Sequence, residues 1–147
     1  MPKISTVEYL GDLRTEAVHL DSGERIITDA PKDNEGKGEA FSPTDLVATS
    51  LASCMITIMG IKANQSGINM AGTKADIVKE MAADPRRIQT IRIHIYFPQT
   101  YSEKEKQLLE RAGLTCPVIN SLSSNVNKDI KFHYQKSKDS NLISQNP

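Results

Sequence analysis

The chain has 147 residues, with 18 Lys+Arg against 18 Asp+Glu, so its formal charge at pH 7 is zero. That balance removes the electrostatic case for nucleic acid or an anionic membrane as partner. No apolar run is read as approaching the roughly 20 residues that span a bilayer, and the start MPKISTVEYLGD lacks the basic and apolar regions of a secretory signal.

Two cysteines without a signal point to a reducing cytoplasm, where thiols stay free, catalytic or redox-sensing. With no Trp and three Phe, the core is thin for one compact domain, which hints at packing shared with a second copy.

Residues 3–29 read as short antiparallel strands. Ile4, Thr6 and Tyr9 mark the first, Leu13 to Leu20 the second and Arg25 to Thr28 the third. Gly11-Asp12 and Asp21-Ser22-Gly23 are the turns between them. Residues 30–40, APKDNEGKGEA, form a polar Gly-rich loop, expected to be mobile or to cover a site.

A long helix follows. Ser42 caps it, Pro43 suits its first position and Asp45 completes a capping box. Leu46, Val47, Leu51, Cys54, Met55, Ile58, Met59 and Ile61 carry it to an end near Gly67. About 24 residues at 1.5 Å each give a length of roughly 36 Å. It is apolar over much of its circumference, which predicts burial. Ala48, Ala52 and Gly60 leave room for close packing.

Lys74 to Met81 is a fourth strand, joined through the Asp84-Pro85-Arg86 turn to a fifth. In the fifth, Ile91, Ile93, Ile95 and Phe97 alternate with Arg92, His94 and Tyr96, a period of two. Ser102 caps a charged helix that turns Leu108 and Leu109 inward and stops at Gly113. Cys116-Pro117 opens a short helix with Val118, Ile119 and Leu122, and Ile130 to Tyr134 is the last strand. The order βββ-α-ββ-α-α-β predicts an α+β fold of one domain over residues 1–135, with a disordered tail over 136–147.

Cys54 shares the apolar stripe of the long helix with Leu51 and Ile58. A lone thiol there is ordinarily packing. Cys116 at a helix N-terminus is a different matter, since unpaired backbone N–H groups and the helix dipole are expected to lower its pKa. The two cysteines are far apart in sequence, so only the fold can join them. Metal-type spacings are absent, and His19, His94 and His133 are read as strand surface residues. No metal or organic cofactor is expected.

A peroxidatic thiol must be ionised. At an ordinary pKa near 8.5, about 3% is thiolate at pH 7, and reaching a pKa of about 6 takes roughly 3.4 kcal/mol. An apolar wall works against this, so a cation is required. Arg14, Arg25, Arg86 and Arg87 are candidates, and spacing alone leaves the choice open.

SPTDLVATSLASC (42–54) and TCPVINSL (115–122), with the DPRRIQTIRIHIYF hairpin and the SEKEKQLLERA helix, resemble the OsmC/Ohr family of osmotically induced and organic-hydroperoxide-resistance proteins. The resemblance covers nearly all of the chain to about residue 135. It implies antiparallel sheets wrapped around long central helices in an interlocked homodimer, with active sites at the dimer interface. It implies a thiol-dependent peroxidase of organic hydroperoxides in stress defence, with Cys54 peroxidatic, Cys116 resolving and Arg14 activating. It further implies a dithiol reductant of lipoyl type. Leu51, Met55, Ile58 and Thr44 are the candidate substrate pocket.

One position departs from the family pattern: Thr44 stands where the peroxidase subgroups place a Glu that holds the arginine. Asp45 is adjacent, but one helical step turns a side chain by about 100°. The alternatives are a non-catalytic dimer binding a small apolar ligand, or a thiol redox sensor.

Overall fold

The computed structural model describes residues 1–136, so the tail expected over 136–147 lies, from residue 137 on, outside the described residues. The chain forms two compact units, one over Met1–Val47 and one from Ala48 onward.

The first unit is an antiparallel sheet of β1 (Ser5–Gly11), β2 (Arg14–His19) and β3 (Arg25–Asp29) in that order. A two-residue turn joins β1 to β2. Gly11 pairs with Arg14, and between them Asp12 and Leu13 both take positive φ, +53° and +62°. Two left-handed central residues match the right-handed twist of a hairpin. That turn makes Arg14 the first residue of β2. Register then sets Arg14 opposite Asp29, the last residue of β3.

The Gly-rich stretch after β3 is knit to its own base. The Asp29 N–H donates to Phe41 O at 3.0 Å, Gly36 N–H to Pro31 O at 2.9 Å and Gly38 N–H to Ala30 O at 3.2 Å. A Cβ at Gly36 would overlap the Ala30 backbone oxygen, so only glycine fits there. A short 3-10 turn, Lys32–Asn34, sits within it.

The long helix α1 runs Pro43–Gln65. Its capping box forms as the sequence predicts: Asp45 N–H donates to Ser42 Oγ at 3.1 Å and Ser42 N–H to Asp45 Oδ2 at 3.0 Å. Its 23 residues are long and apolar enough to cross a membrane, with mean hydropathy 1.6 over 18 residues. This corrects the sequence expectation that no such run exists. Packing supplies a reason for that apolarity, because Ala48, Leu51, Ala52, Met55, Met59 and Ala63 form a buried stripe. They share one core cluster with Ile91, Ile93, Ile95, Phe97 and Leu109.

The second unit's sheet has the order β4 (Lys74–Ala82), β5 (Arg87–Tyr96) and β6 (Asn127–His133). The alternation in β5 puts Ile91, Ile93 and Ile95 wholly inside. On its other face, Arg92 bonds Glu80 and Asp129, and His94 Nδ1 lies 2.8 Å from His133 Nε2. β4 and β5 are antiparallel, but β6 runs parallel to β5, so the sheet is mixed and not antiparallel throughout. A crossover through two helices, α2 (Glu103–Gly113) and α3 (Pro117–Ser121), reverses the chain before β6. α2 starts on a complete Ser102–Glu105 capping box.

Candidate active site

Gly113, at the end of α2, lies against α1. A Cβ there would fall 2.8 Å from Met59 Sδ and 3.0 Å from Met59 Cγ. The end of α2 therefore packs closely on α1, and any side chain at residue 113 would have to displace Met59. The chain then turns through Thr115, whose Oγ1 donates to Ala112 O at 2.9 Å. It delivers Cys116 as the N-cap of α3.

Both cysteines are free thiols, and their environments differ. Cys116 is fully buried, while Cys54 on α1 is half-exposed. Their side chains are near enough for Cys54 to help raise the Cys116 thiol. Residues far apart in sequence thus become neighbours.

The expected sign at Cys116 is corrected. Ile119 N–H does donate to its sulfur, at 3.4 Å, and Val118 N–H adds a second favourable contact. Burial nevertheless dominates and pushes the Cys116 thiol up, with Cys54 pushing the same way. A helix of five residues is too short to offset the loss of water. Cys116 is therefore a protonated thiol held against its neighbour.

Of the expected pocket residues, Leu51 and Met55 are fully buried in the core. Ile58, one turn beyond Cys54, lines a cavity of about 440 Å³ together with Ile61, Lys62, Leu108, Arg111 and Thr115. The cavity wall thus includes the residue preceding Cys116. Thr44 Oγ1 lies 3.2 Å from Ser42 Oγ at the start of α1.

In the first unit, Arg14 is held by two carboxylates. Its Nε donates to Asp29 Oδ1 at 2.7 Å and its Nη2 to Asp29 Oδ2 at 2.9 Å, a two-pronged pair. Nη2 also donates to Glu39 Oε2 at 3.2 Å. Asp29 is 1% exposed, and its Oδ2 accepts the Glu39 backbone N–H at 3.0 Å. The Arg14 hydrogen bond, chiefly, holds the Asp29 carboxyl below the usual range, outweighing the cost of burial. Reciprocally, Asp29 raises Arg14 further above its ordinary value. The sequence reading missed Asp29 and Glu39. The signal was available for Asp29, since counting outward from the Asp21-Ser22-Gly23 turn pairs it with Arg14.

Two of the rival arginines are engaged elsewhere. Arg25 bonds Glu16, and Arg87 donates to the Asn125 carbonyl at 3.3 Å.

Residues 36–131 match the model of the OsmC-like protein family. A crystal structure from Psychrobacter arcticus 273-4, of a protein described by osmotic stress induction and detoxification response, is 53% identical. It superposes with a TM-score of 0.88 over 90% of this chain and 97% of its own. An organic hydroperoxide resistance protein OsmC from Legionella pneumophila shares the fold at 18% identity. Its TM-score is 0.72, over 90% of this chain and 97% of that one. An uncharacterized protein of Acinetobacter baylyi is 23% identical over 69% of this chain and 73% of its own length. Because that family model spans more than half of the residues, the chain belongs to the OsmC-like protein family.

Proposed function

We propose that the protein is a thiol-dependent peroxidase of organic hydroperoxides, acting in stress defence. The observation that carries this reading is the meeting of a half-exposed thiol, Cys54, with a buried protonated one, Cys116. Two neighbouring free thiols, one half-buried and one fully buried, suit an attacking and a resolving role.

Cys54 attacks as thiolate on the distal oxygen of ROOH. The O–O bond breaks, ROH leaves with one added proton, and Cys54 becomes a sulfenic acid. Arg14, from this chain or a second copy, supplies the cation that pairs with the thiolate and with charge on the departing alkoxide. Cys116 then condenses with the sulfenic acid, forming the S–S bond and releasing water. An external dithiol, of lipoyl type on the family resemblance, reduces the disulfide by exchange. Ile58, one turn beyond Cys54, with Ile61 and Leu108 offers apolar surface that suits alkyl hydroperoxides, in a cavity that neither cysteine lines. No cofactor enters these steps.

We further propose a cytoplasmic homodimer built from one functional domain over residues 1–135. Exposed apolar side chains in each unit support a second copy: Val7, Tyr9 and Ile26 in the first, Ile61 and Leu114 in the second.

The test is dithiol-dependent consumption of cumene hydroperoxide by wild type, Cys54→Ser and Cys116→Ser. Activity should vanish in Cys54→Ser and stall after one turnover in Cys116→Ser. Equal slow rates in all three refute the enzyme. The cavity, with its apolar walls, favours a non-catalytic apolar-ligand dimer as the second reading. Ligand binding that survives Cys54→Ser without any turnover in wild type would establish it.

A further inference from the structure

We infer that the cavity between α1 and α2 seats an amphipathic anion, an alkyl chain ending in a carboxylate or phosphate, with Lys62 and Arg111 holding the charged end. This seat is independent of the thiols and goes beyond the peroxidase reading.

Two helical faces build the cavity, and all of its lining lies in the unit from Ala48 onward. On α1, Ile58, Ile61 and Lys62 stand at i, i+3 and i+4. On α2, Leu108, Arg111 and Ala112 repeat that spacing. Residues so spaced share one side of a helix, so each helix offers apolar surface with a cation set into it. Ile61 is 51% exposed, an apolar surface that nothing in the chain covers. The volume, about 440 Å³, is that of a site for a small organic molecule, for which roughly 300–1,000 Å³ is usual.

The charges in it have one sign. Among the described residues, no Asp or Glu lines the cavity. Asp45, the acid of α1, sits at the opposite end of that helix and caps Ser42. The acids of α2 are committed elsewhere: Glu103 to Lys106, Glu105 to the Ser102 N–H and Glu110 to the Tyr134 hydroxyl. Lys62 and Arg111 have no hydrogen bond or ion pair among the described residues.

Each cation stands in the last turn of its helix, where its ordinary use is to offset the negative end of the helix dipole. That use needs no cavity and no second helix. Here both cations border one apolar hollow, and Gln65 adds a side-chain amide as a further donor. An anionic headgroup accepts from these donors while its chain covers the isoleucines and Leu108. A neutral amphiphile would leave both cations unpaired beside it, and a cationic one would be repelled.

The experiment is isothermal titration calorimetry of the full-length chain with decanoate, decyl phosphate, decanol and decyltrimethylammonium. Decanoate or decyl phosphate should bind at least about fivefold tighter than decanol, and the tighter of the two anions names the headgroup. Octanoate should bind about tenfold more weakly than decanoate, because it buries two methylenes fewer. Lys62→Gln and Arg111→Gln should each weaken the anions about fivefold and leave decanol unchanged. Lys62→Glu combined with Arg111→Glu should turn the preference toward decyltrimethylammonium. Cys54→Ser should bind the anions as wild type does, whatever becomes of the peroxidase assay. Anions bound no tighter than decanol, or anion binding unmoved by both Gln variants, overturns the inference. Failure of all four probes to bind also overturns it, and a change of oligomeric state in the Glu variant by light scattering would then show that a second copy covers the cavity.

Discussion

Reduced protein exposed to a limiting alkylating reagent at pH 7 should lose Cys54 first. The asymmetry follows from burial. Cys116 has no exposed surface, and its thiol is pushed above the ordinary value by burial, then by Cys54. An ordinary thiol is already only about 3% ionised at pH 7, and each further unit removes another factor of ten. Adding the opening motion that a buried sulfur needs, Cys116 should react at least about tenfold more slowly than Cys54. A quenched time course with iodoacetamide, read by peptide mass spectrometry, measures both sites in one sample. Raising the pH should narrow the gap, since the thiolate of Cys116 appears only above the usual thiol range. In Cys54→Ser, Cys116 should remain slow, because burial is the larger cause. Equal labelling of the two cysteines at pH 7 would refute the assignment of attacking and resolving roles.

Three other outcomes follow from the packing and the charges. Asp29 holds its proton less tightly folded than unfolded, so the stability from its pair with Arg14 is complete above the ordinary carboxylate pKa and declines as pH falls below about 3.9. The stability gap between wild type and Asp29→Asn in urea melts should accordingly hold from pH 6 to about pH 4 and narrow below it. Leu51→Ala empties a fully buried site and should cost about 2–5 kcal/mol, read from the same melts. Gly113→Ala drives a methyl group into Met59. It should lose about 1–3 kcal/mol by overpacking despite alanine's better helix propensity, with slower disulfide formation because the α2 end is displaced. Unchanged stability and unchanged oxidation kinetics would show that Met59 yields without moving the cysteines.

Much of the architecture was legible because local chemistry carries it. Ser42 with Asp45, and Ser102 with Glu105, are capping boxes in sequence and in space. The isoleucine alternation of β5 reports its buried face directly. Strand direction is another matter. A period of two marks a strand without saying which way its neighbour runs, and β6 turned out parallel to β5. The α1 stripe shows the same limit. An apolar circumference predicts burial all round, yet within the chain one face is buried while Val47 and Ile61 stay exposed.

The sequence alone determined the elements and their caps, because propensity, capping and periodicity act over a few neighbouring residues. Only the tertiary structure decided how Cys116 ionises and which carboxylates hold Arg14. Desolvation depends on everything that packs around a group. In Cys116 it outweighed the helix terminus that the local sequence advertises. The partners of Arg14 lie 15 and 25 residues away, joined to it by strand register and by a glycine that no side chain could replace.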